Sequence, residues 1–183
     1  MSFREFPQAY GHVRLKTWDE WANEYIKRSW YVVGDLNEAI QRAERDGFKP
    51  HIRHDDHNLV EDNGFGLLLA LLGNVAGSTG LQYVALGQSN TAPTGVETQL
   101  SDEQIRIAIS SSSIANNQLT VTGYFDTGQA NVLLGSAALF GNGATDVANS
   151  GTIYSYVVYQ QFTKNNLESL TAQWSLGFTR PTV

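Results

Sequence analysis

The chain has no cysteine, and that excludes disulfide bridges, thiolate metal sites and cysteine nucleophiles. No window approaches the roughly 18 consecutive apolar residues that a membrane-spanning helix needs. The opening MSFREFPQAYGHVRLK lacks the apolar core of a secretory signal, so none is expected. Neither heptads nor a fixed-period repeat occurs. Cations are scarce beyond residue 60, where only Arg106, Lys164 and Arg180 stand among eight acids. With a formal net charge of −6, the chain is poorly suited to binding nucleic acid, which requires phosphate neutralisation.

What is present describes a globular protein. Its 183 residues are 42% hydrophobic and 11% aromatic, enough for one domain with a proper core or a domain with an appendage. Residues 1–60 hold most of the cations, while glycine, serine, threonine and asparagine concentrate after them. This shift predicts two unlike parts: residues 1–57 as a helical or extended N-terminal arm, and residues 58–183 as a β-sandwich module.

In the first part, Thr17-Trp18-Asp19-Glu20 has the form of a capping box, and Trp18, Trp21, Tyr25 and Ile26 then share one face of a helix ending near Ser29. A second helix is capped by Asp35, carries the stripe Leu36, Ala39, Ile40 and Ala43, and stops at Gly47. Two short helices with narrow apolar faces do not make an independent core. The stretch Trp30-Tyr31-Val32-Val33 therefore needs a surface to pack on, either the second part of the same chain or a neighbouring molecule. Trp18, Trp21, Tyr25, Trp30 and Tyr31 are the candidate interaction residues.

In the second part, Phe65 to Leu72 is rich in Leu and Ala without β-branching and is expected to form a short buried helix. Strand patterns follow at Gln82–Leu86, Ile105–Ile109, Leu119–Phe125, Asn131–Phe140, Ile153–Phe162 and Leu170–Phe178. Asn116-Asn117 is expected to turn the chain, and Asn142-Gly143 to close a tight turn. The fold class expected is mainly β: an antiparallel, jelly-roll-like sandwich with an N-terminal helical arm.

Three of the four histidines lie in HIRHDDH, residues 51–57. His51, His54, Asp55, Asp56 and His57 are chemically suited to Zn, Fe or Mn. Three-residue spacing gathers ligands only on a helix, however, and Pro50 with the scattered apolar neighbours argues against one. On a strand, His51 and His54 would face opposite sides. The segment resembles the tail of the H-x-H-x-D-H motif of metallo-β-lactamase-like hydrolases, but Ile52 replaces its first histidine and no histidine follows His57. A solvated junction is the default reading, ahead of a structural ion and a catalytic metal.

Other catalytic patterns are weaker. The stretch GNVAGSTG lacks the lysine of a phosphate-binding loop, and no G-x-S-x-G elbow occurs. A Ser-His-Asp triad would have to recruit His12 or the 51–57 histidines, and no spacing supports it. Asp126 and Asp146 read as turn formers. Tyr154, Tyr156 and Tyr159 raise the idea of a sugar-binding face, although the strand period sends Tyr159 to the side opposite the other two.

Residues 58–178 resemble a β-rich module of tailed-bacteriophage virion structural proteins. The resemblance is carried by NLVEDNGFGLLLALL at 58–72, LQYVALGQSNTAPTGVETQLSDE at 81–103, QLTVTGYFDTGQANVLLGSAALFGNGATDVANSGTIYS at 118–155 and FTKNNLESLTAQWSLGF at 162–178. It implies a non-enzymatic building block of the virion with no cofactor, assembled in the host cytoplasm and partnered by other virion proteins. A tail, neck, fibre or baseplate position is expected, with capsid decoration on the head as the alternative. A homo-oligomer is expected, a trimer by analogy with threefold spikes, without nucleic-acid or membrane partners. A glycan-binding module and a metal-dependent hydrolase remain the lesser readings.

Overall fold

The computed structural model of the protein describes residues 9–178. In chain order its elements are β1 (Ala9–Trp18), α1 (Glu20–Val33), α2 (Leu36–Arg45), β2 (His51–His57), β3 (Leu59–Val60), α3 (Asp62–Leu72), β4 (Leu81–Gly87), β5 (Glu103–Ala108), β6 (Ser111–Ala115), β7 (Gln118–Phe125), β8 (Leu133–Gly141), β9 (Thr152–Thr163) and β10 (Ser169–Phe178). The fold is mainly β. Two five-stranded antiparallel sheets run β2-β1-β10-β7-β6 and β3-β9-β8-β4-β5.

Alternation along the strands builds the main core. Val13 and Leu15 of β1, Val121 and Phe125 of β7, and Leu170, Ala172 and Trp174 of β10 meet Val84, Leu86, Leu134, Leu139 and Val157 of the other sheet. Four of the pairings are nested: β1 with β10, β3 with β9, β4 with β8, and β6 with β7. The chain thus runs out and back as one long hairpin that is divided between the two sheets.

The first 57 residues do not form an arm. β1 is an interior strand, hydrogen-bonded along its whole length to β10 on one side and to β2 on the other. Arg14 and Lys16 alternate with Val13 and Leu15, which are completely buried, and this is the period of a half-buried strand. The boundary after His57 corresponds instead to a crossing between sheets. β2 belongs to the first sheet, β3 to the second, and Asn58 lies between them. Gly11 lies against this crossing, where a Cβ would meet the Asn58 Oδ1 at 2.0 Å and displace that side chain.

Helices α1 and α2 form a third layer on the outer face of the first sheet. Trp18, Ala22, Ile26, Leu36, Ala39, Ile40 and Ala43 make a second apolar cluster with Tyr124 of β7. The α2 stripe is the one its sequence predicts, with Asp35 as N-cap accepting from the Glu38 amide. The expected capping box at Thr17 is displaced by two residues. Thr17 belongs to β1, and Asp19 caps α1 by accepting from the Ala22 amide at 2.8 Å. α1 also continues past Ser29 to Val33, where Gly34 ends it at φ 73°.

Polar pegs join this layer to the sheet. Thr122 donates to Asn37 at 2.6 Å, Tyr124 donates to Asn23, and Trp18 Nε1 donates to Thr171 at 3.1 Å. Lys16 reaches Glu44 at 2.5 Å.

The remaining strands lie close to their expected ranges, with one addition. Between the Ile105–Ile109 pattern and Asn116 the chain crosses sheets and forms β6, whose polar SSSIA sequence carries no strand signal. Asn116 and Asn117, at φ 51° and 61°, are the two-residue turn between β6 and β7. Asn142-Gly143 opens a longer loop between β8 and β9 in place of a tight turn.

Candidate interaction surface

The HIRHDDH segment is an edge strand, so its side chains are distributed between the two faces of the sheet. His57 lies opposite His12, Asp55 opposite Arg14, and His54 opposite Leu15, while Arg53 is bulged out at a register shift. Asp55 binds Arg14 at 2.9 Å and His12 at 3.1 Å, and the Arg14 hydrogen bond holds its carboxyl below the usual range. His54 turns the other way and lies 5.7 Å from the Tyr159 ring, where burial lowers its pKa. His51 and Asp56 are exposed. Among the described residues no group of three or more His, Cys, Asp or Glu side chains is placed to hold a metal ion. The five residues weighed as ligands are therefore not brought together.

The tyrosines considered for sugar stacking are core residues. Tyr154, Tyr156 and Tyr159 are all buried, and Tyr159 donates to the Ser136 carbonyl at 2.9 Å. No aromatic face of these three is available to a glycan. Asp126 does form a turn, accepting from the Thr127 amide at 2.7 Å, and it also pairs with Lys27 of α1 at 2.7 Å.

Three buried ionic groups went unnoticed in the sequence. Arg106 and Glu103 form an ion pair at 2.5 Å with both side chains 2% exposed. Arg106 lies 4.4 Å over the Phe140 ring and donates to the Thr145 and Ser150 carbonyls, while Glu103 accepts from the Asn149 amide. The pair pins the 142–151 loop onto the outer face of the second sheet. Lys164 is also buried, donating to Asn131 and to the Thr127 and Asn165 carbonyls, and burial lowers its pKa to about 8. The two cations of the β-rich part within the described residues are thus spent internally.

The third group is a carboxyl pair. Glu61, the N-cap residue of α3, is fully buried and accepts from the Glu97 amide at 3.1 Å. Burial, followed by the neighbouring Glu97, pushes the Glu61 carboxyl up to about 7. Burial also acts to raise Glu97, but hydrogen bonds from Thr94 and Gly95 outweigh it and hold that carboxyl at about 2. One neutral and one ionised carboxyl therefore tie the start of α3 to the 94–97 loop. An i,i+36 pairing has no local signal that sequence patterns would reveal.

Exposed apolar side chains are scattered over the described residues, and two groups of them gather on helices. On α1, Trp21 is 80% exposed, Tyr31 93% and Val32 77%. Trp21 flanks a groove of about 540 Å³ with Glu20, Glu24, Tyr25, Arg28 and Phe48. Of the five candidate interaction residues, Trp21 and Tyr31 stand on this outer face. Trp18 is core, Trp30 is half-buried with its ring 5.9 Å from Tyr124, and Tyr25 is half-buried against Phe48 with its hydroxyl on Asp46. The second group is on α3, where Phe65, Leu69, Leu71 and Leu72 are exposed. The helix expected to be buried is covered on one side only. A cavity of about 330 Å³ beneath it is lined by Leu67, Leu68, Leu71, Leu81, Leu119 and Leu176, among others.

Comparisons with protein-family models, with curated proteins and with solved structures found no match. The reading of function consequently stands on these surfaces and on the residue patterns above.

Proposed function

We propose that the chain is a non-enzymatic structural protein of a tailed-bacteriophage virion, a tail, neck, fibre or baseplate component that docks on another virion protein through the outer face of α1. The observation that carries this reading is the exposure of Trp21, Tyr31 and Val32 on a helix whose opposite face is locked onto a sheet. Exposed aromatic residues on a rigid support are the usual anchors of protein interfaces. Glu20, Glu24 and Arg28 around the groove supply a charged rim. The finer fold reading is a jelly-roll-like sandwich with the α1–α2 layer as its attachment element. The nested strand pairing and the shared core between the sheets support it.

The test is to locate the chain in purified particles of its phage with a labelled antibody and electron microscopy. Label on the tail, neck or baseplate is the expected result. Label over the head assigns the protein to capsid decoration, and the absence of the chain from particles overturns the virion reading. A Trp21→Ala, Tyr31→Ala double variant is expected to fold normally and to be lost from particles.

A further inference from the structure

Helix α3 is apolar on two sides, and the chain itself uses one. Gly64 and Leu67 face the sheets and are buried; Gly64 approaches so closely that a Cβ would lie 2.2 Å from the Tyr154 carbonyl oxygen. On the far side Phe65, Leu69 and Leu72, spaced four and three residues apart, form a ridge 41%, 68% and 76% exposed. One position further round the helix, Gly66, Ala70 and Gly73 leave a furrow, with open space beyond Gly66. Val75 adds exposed apolar surface beside them, while Leu71 lines the cavity on the inward side.

We propose that this face is the contact between two copies of the chain, with α3 of each packed antiparallel on α3 of the other across a two-fold axis. The argument goes beyond the α1 docking reading and does not depend on it. A symmetric contact requires a surface that complements itself. A ridge of large side chains adjoining a furrow of small ones on the same helix meets that requirement, because each ridge enters the other copy's furrow.

The area agrees. At roughly 150–200 Å² per fully exposed large apolar residue, Phe65, Leu69, Leu72 and Val75 offer on the order of 400 Å². A standard interface buries about 800 Å² per partner, of which somewhat more than half is apolar.

Charge also favours a second copy over a lipid surface or an acidic protein. No Lys or Arg occurs between Arg53 and Arg106, and Arg106 is itself buried. The stretch that carries the face, residues 54–105, thus supplies no cation of its own to draw an anionic headgroup or a carboxylate. In the antiparallel arrangement the two Asp62 carboxylates at the helix starts are separated by about 16 Å, the length of an 11-residue helix. That separation exceeds the screening length in physiological salt.

Sedimentation velocity of the full chain over a concentration series tests the proposal. A reversible dimer is expected, and Leu69→Gln is expected to weaken it at least about 100-fold, tenfold for each copy, without moving the unfolding midpoint of the monomer in dilute solution. Because the chain has no cysteine, Leu69→Cys provides a second measurement: a short bis-maleimide should link two copies through that position. Trp21→Ala, on the other exposed face, should leave the dimer unchanged while it impairs incorporation into particles, so failure of the docking reading is seen separately. A monomer at every concentration overturns the proposal. So does a dimer that survives Leu69→Gln and fails to cross-link through Leu69→Cys. A monomer that sediments with phosphatidylcholine vesicles, and no longer does so as Leu69→Gln, also overturns it and assigns the face to a lipid surface.

Discussion

Helices α1 and α3 both lie on the sheets and both expose large apolar side chains, yet they are built differently. α1 buries Ala22 and Ile26 on an apolar stripe and surrounds its exposed aromatic residues with Glu20, Glu24 and Arg28. α3 carries no charge after Asp62 and buries only Gly64 and Leu67. The first is an amphipathic helix with a few anchors added to its polar face; the second has no polar face. Their fastenings differ too. Pegs such as Asn23 to Tyr124 and Lys16 to Glu44 hold the α1–α2 layer. The start of α3 is held by the Glu61–Glu97 carboxyl pair and by the Glu61 amide on the Tyr154 carbonyl. Amphipathicity read from sequence identifies the inward Ile26 of α1 but groups the exposed Trp21 with it, and in α3 only the tertiary contacts select the inward face.

The strongest way to break the comparison is to remove the inward anchors of the α1 layer. Trp18→Ala should destabilise the protein by about 3–5 kcal/mol in chemical denaturation, because a fully buried ring leaves a cavity between sheet and helices. Ile26→Ala, also completely buried, should cost about 2–4 kcal/mol. Leu69→Ala on the outward side of α3 should change monomer stability by no more than about 0.5 kcal/mol, measured in dilute solution. An equal cost for Ile26→Ala and Leu69→Ala would mean that α3 is packed on both sides within a single chain.

The pH response sharpens the contrast between fastenings. Glu61 is raised from 4.5 to about 7, so its contribution is complete below pH 4.5 and is lost as pH rises through 7. Glu97 is lowered from 4.5 to about 2, so its contribution is complete above pH 4.5 and is lost as pH falls through 2. Together they place the strongest fastening of α3 near pH 4.5. Amide exchange in α3, corrected for intrinsic rates, should therefore accelerate between pH 5 and pH 8 relative to α1. Glu61→Gln should flatten that response, since an amide cannot ionise. An α3 response that persists unchanged in Glu61→Gln would rule out the carboxyl pair as its source.

The smallest expected effect tests a region outside both helices. Asn117 sits at φ 61° in the β6–β7 turn, a conformation glycine adopts without strain. Asn117→Gly should be neutral or stabilising by up to about 1 kcal/mol, and Asn117→Val should be destabilising by a similar amount. Neither should alter exchange in α1 or α3, which calibrates the local reach of the other substitutions.

Much of the β framework was legible. Strands β4, β7, β9 and β10 appear where the sequence predicts strands, β7 and β10 by two-residue alternation, and the α2 stripe and its Asp35 cap are as expected. The misreadings have definite causes. β1 carries a strand period, Val13 and Leu15 alternating with Arg14 and Lys16, but the high charge of the first sixty residues suggests an arm. β6 was obscured because a serine run has neither aromatic nor β-branched enrichment until Ile114. Among the candidate interaction residues, nothing in the Trp18 to Tyr31 stretch announced that Trp18 ends a central strand while Trp21, three residues on, is exposed.

Local chemistry within a few residues was therefore determined by the sequence itself: strand periodicity, the Asn116-Asn117 turn, the helix caps and the lack of any thiol. Tertiary structure alone decided which strands became neighbours, that HIRHDDH is an edge strand, and that Arg106, Lys164 and Glu61 are interior groups. These outcomes depend on partners tens of residues away, such as Glu97 for Glu61 and β10 for β1. The free energy of such contacts comes from burial and pairing across the chain, which no local pattern encodes.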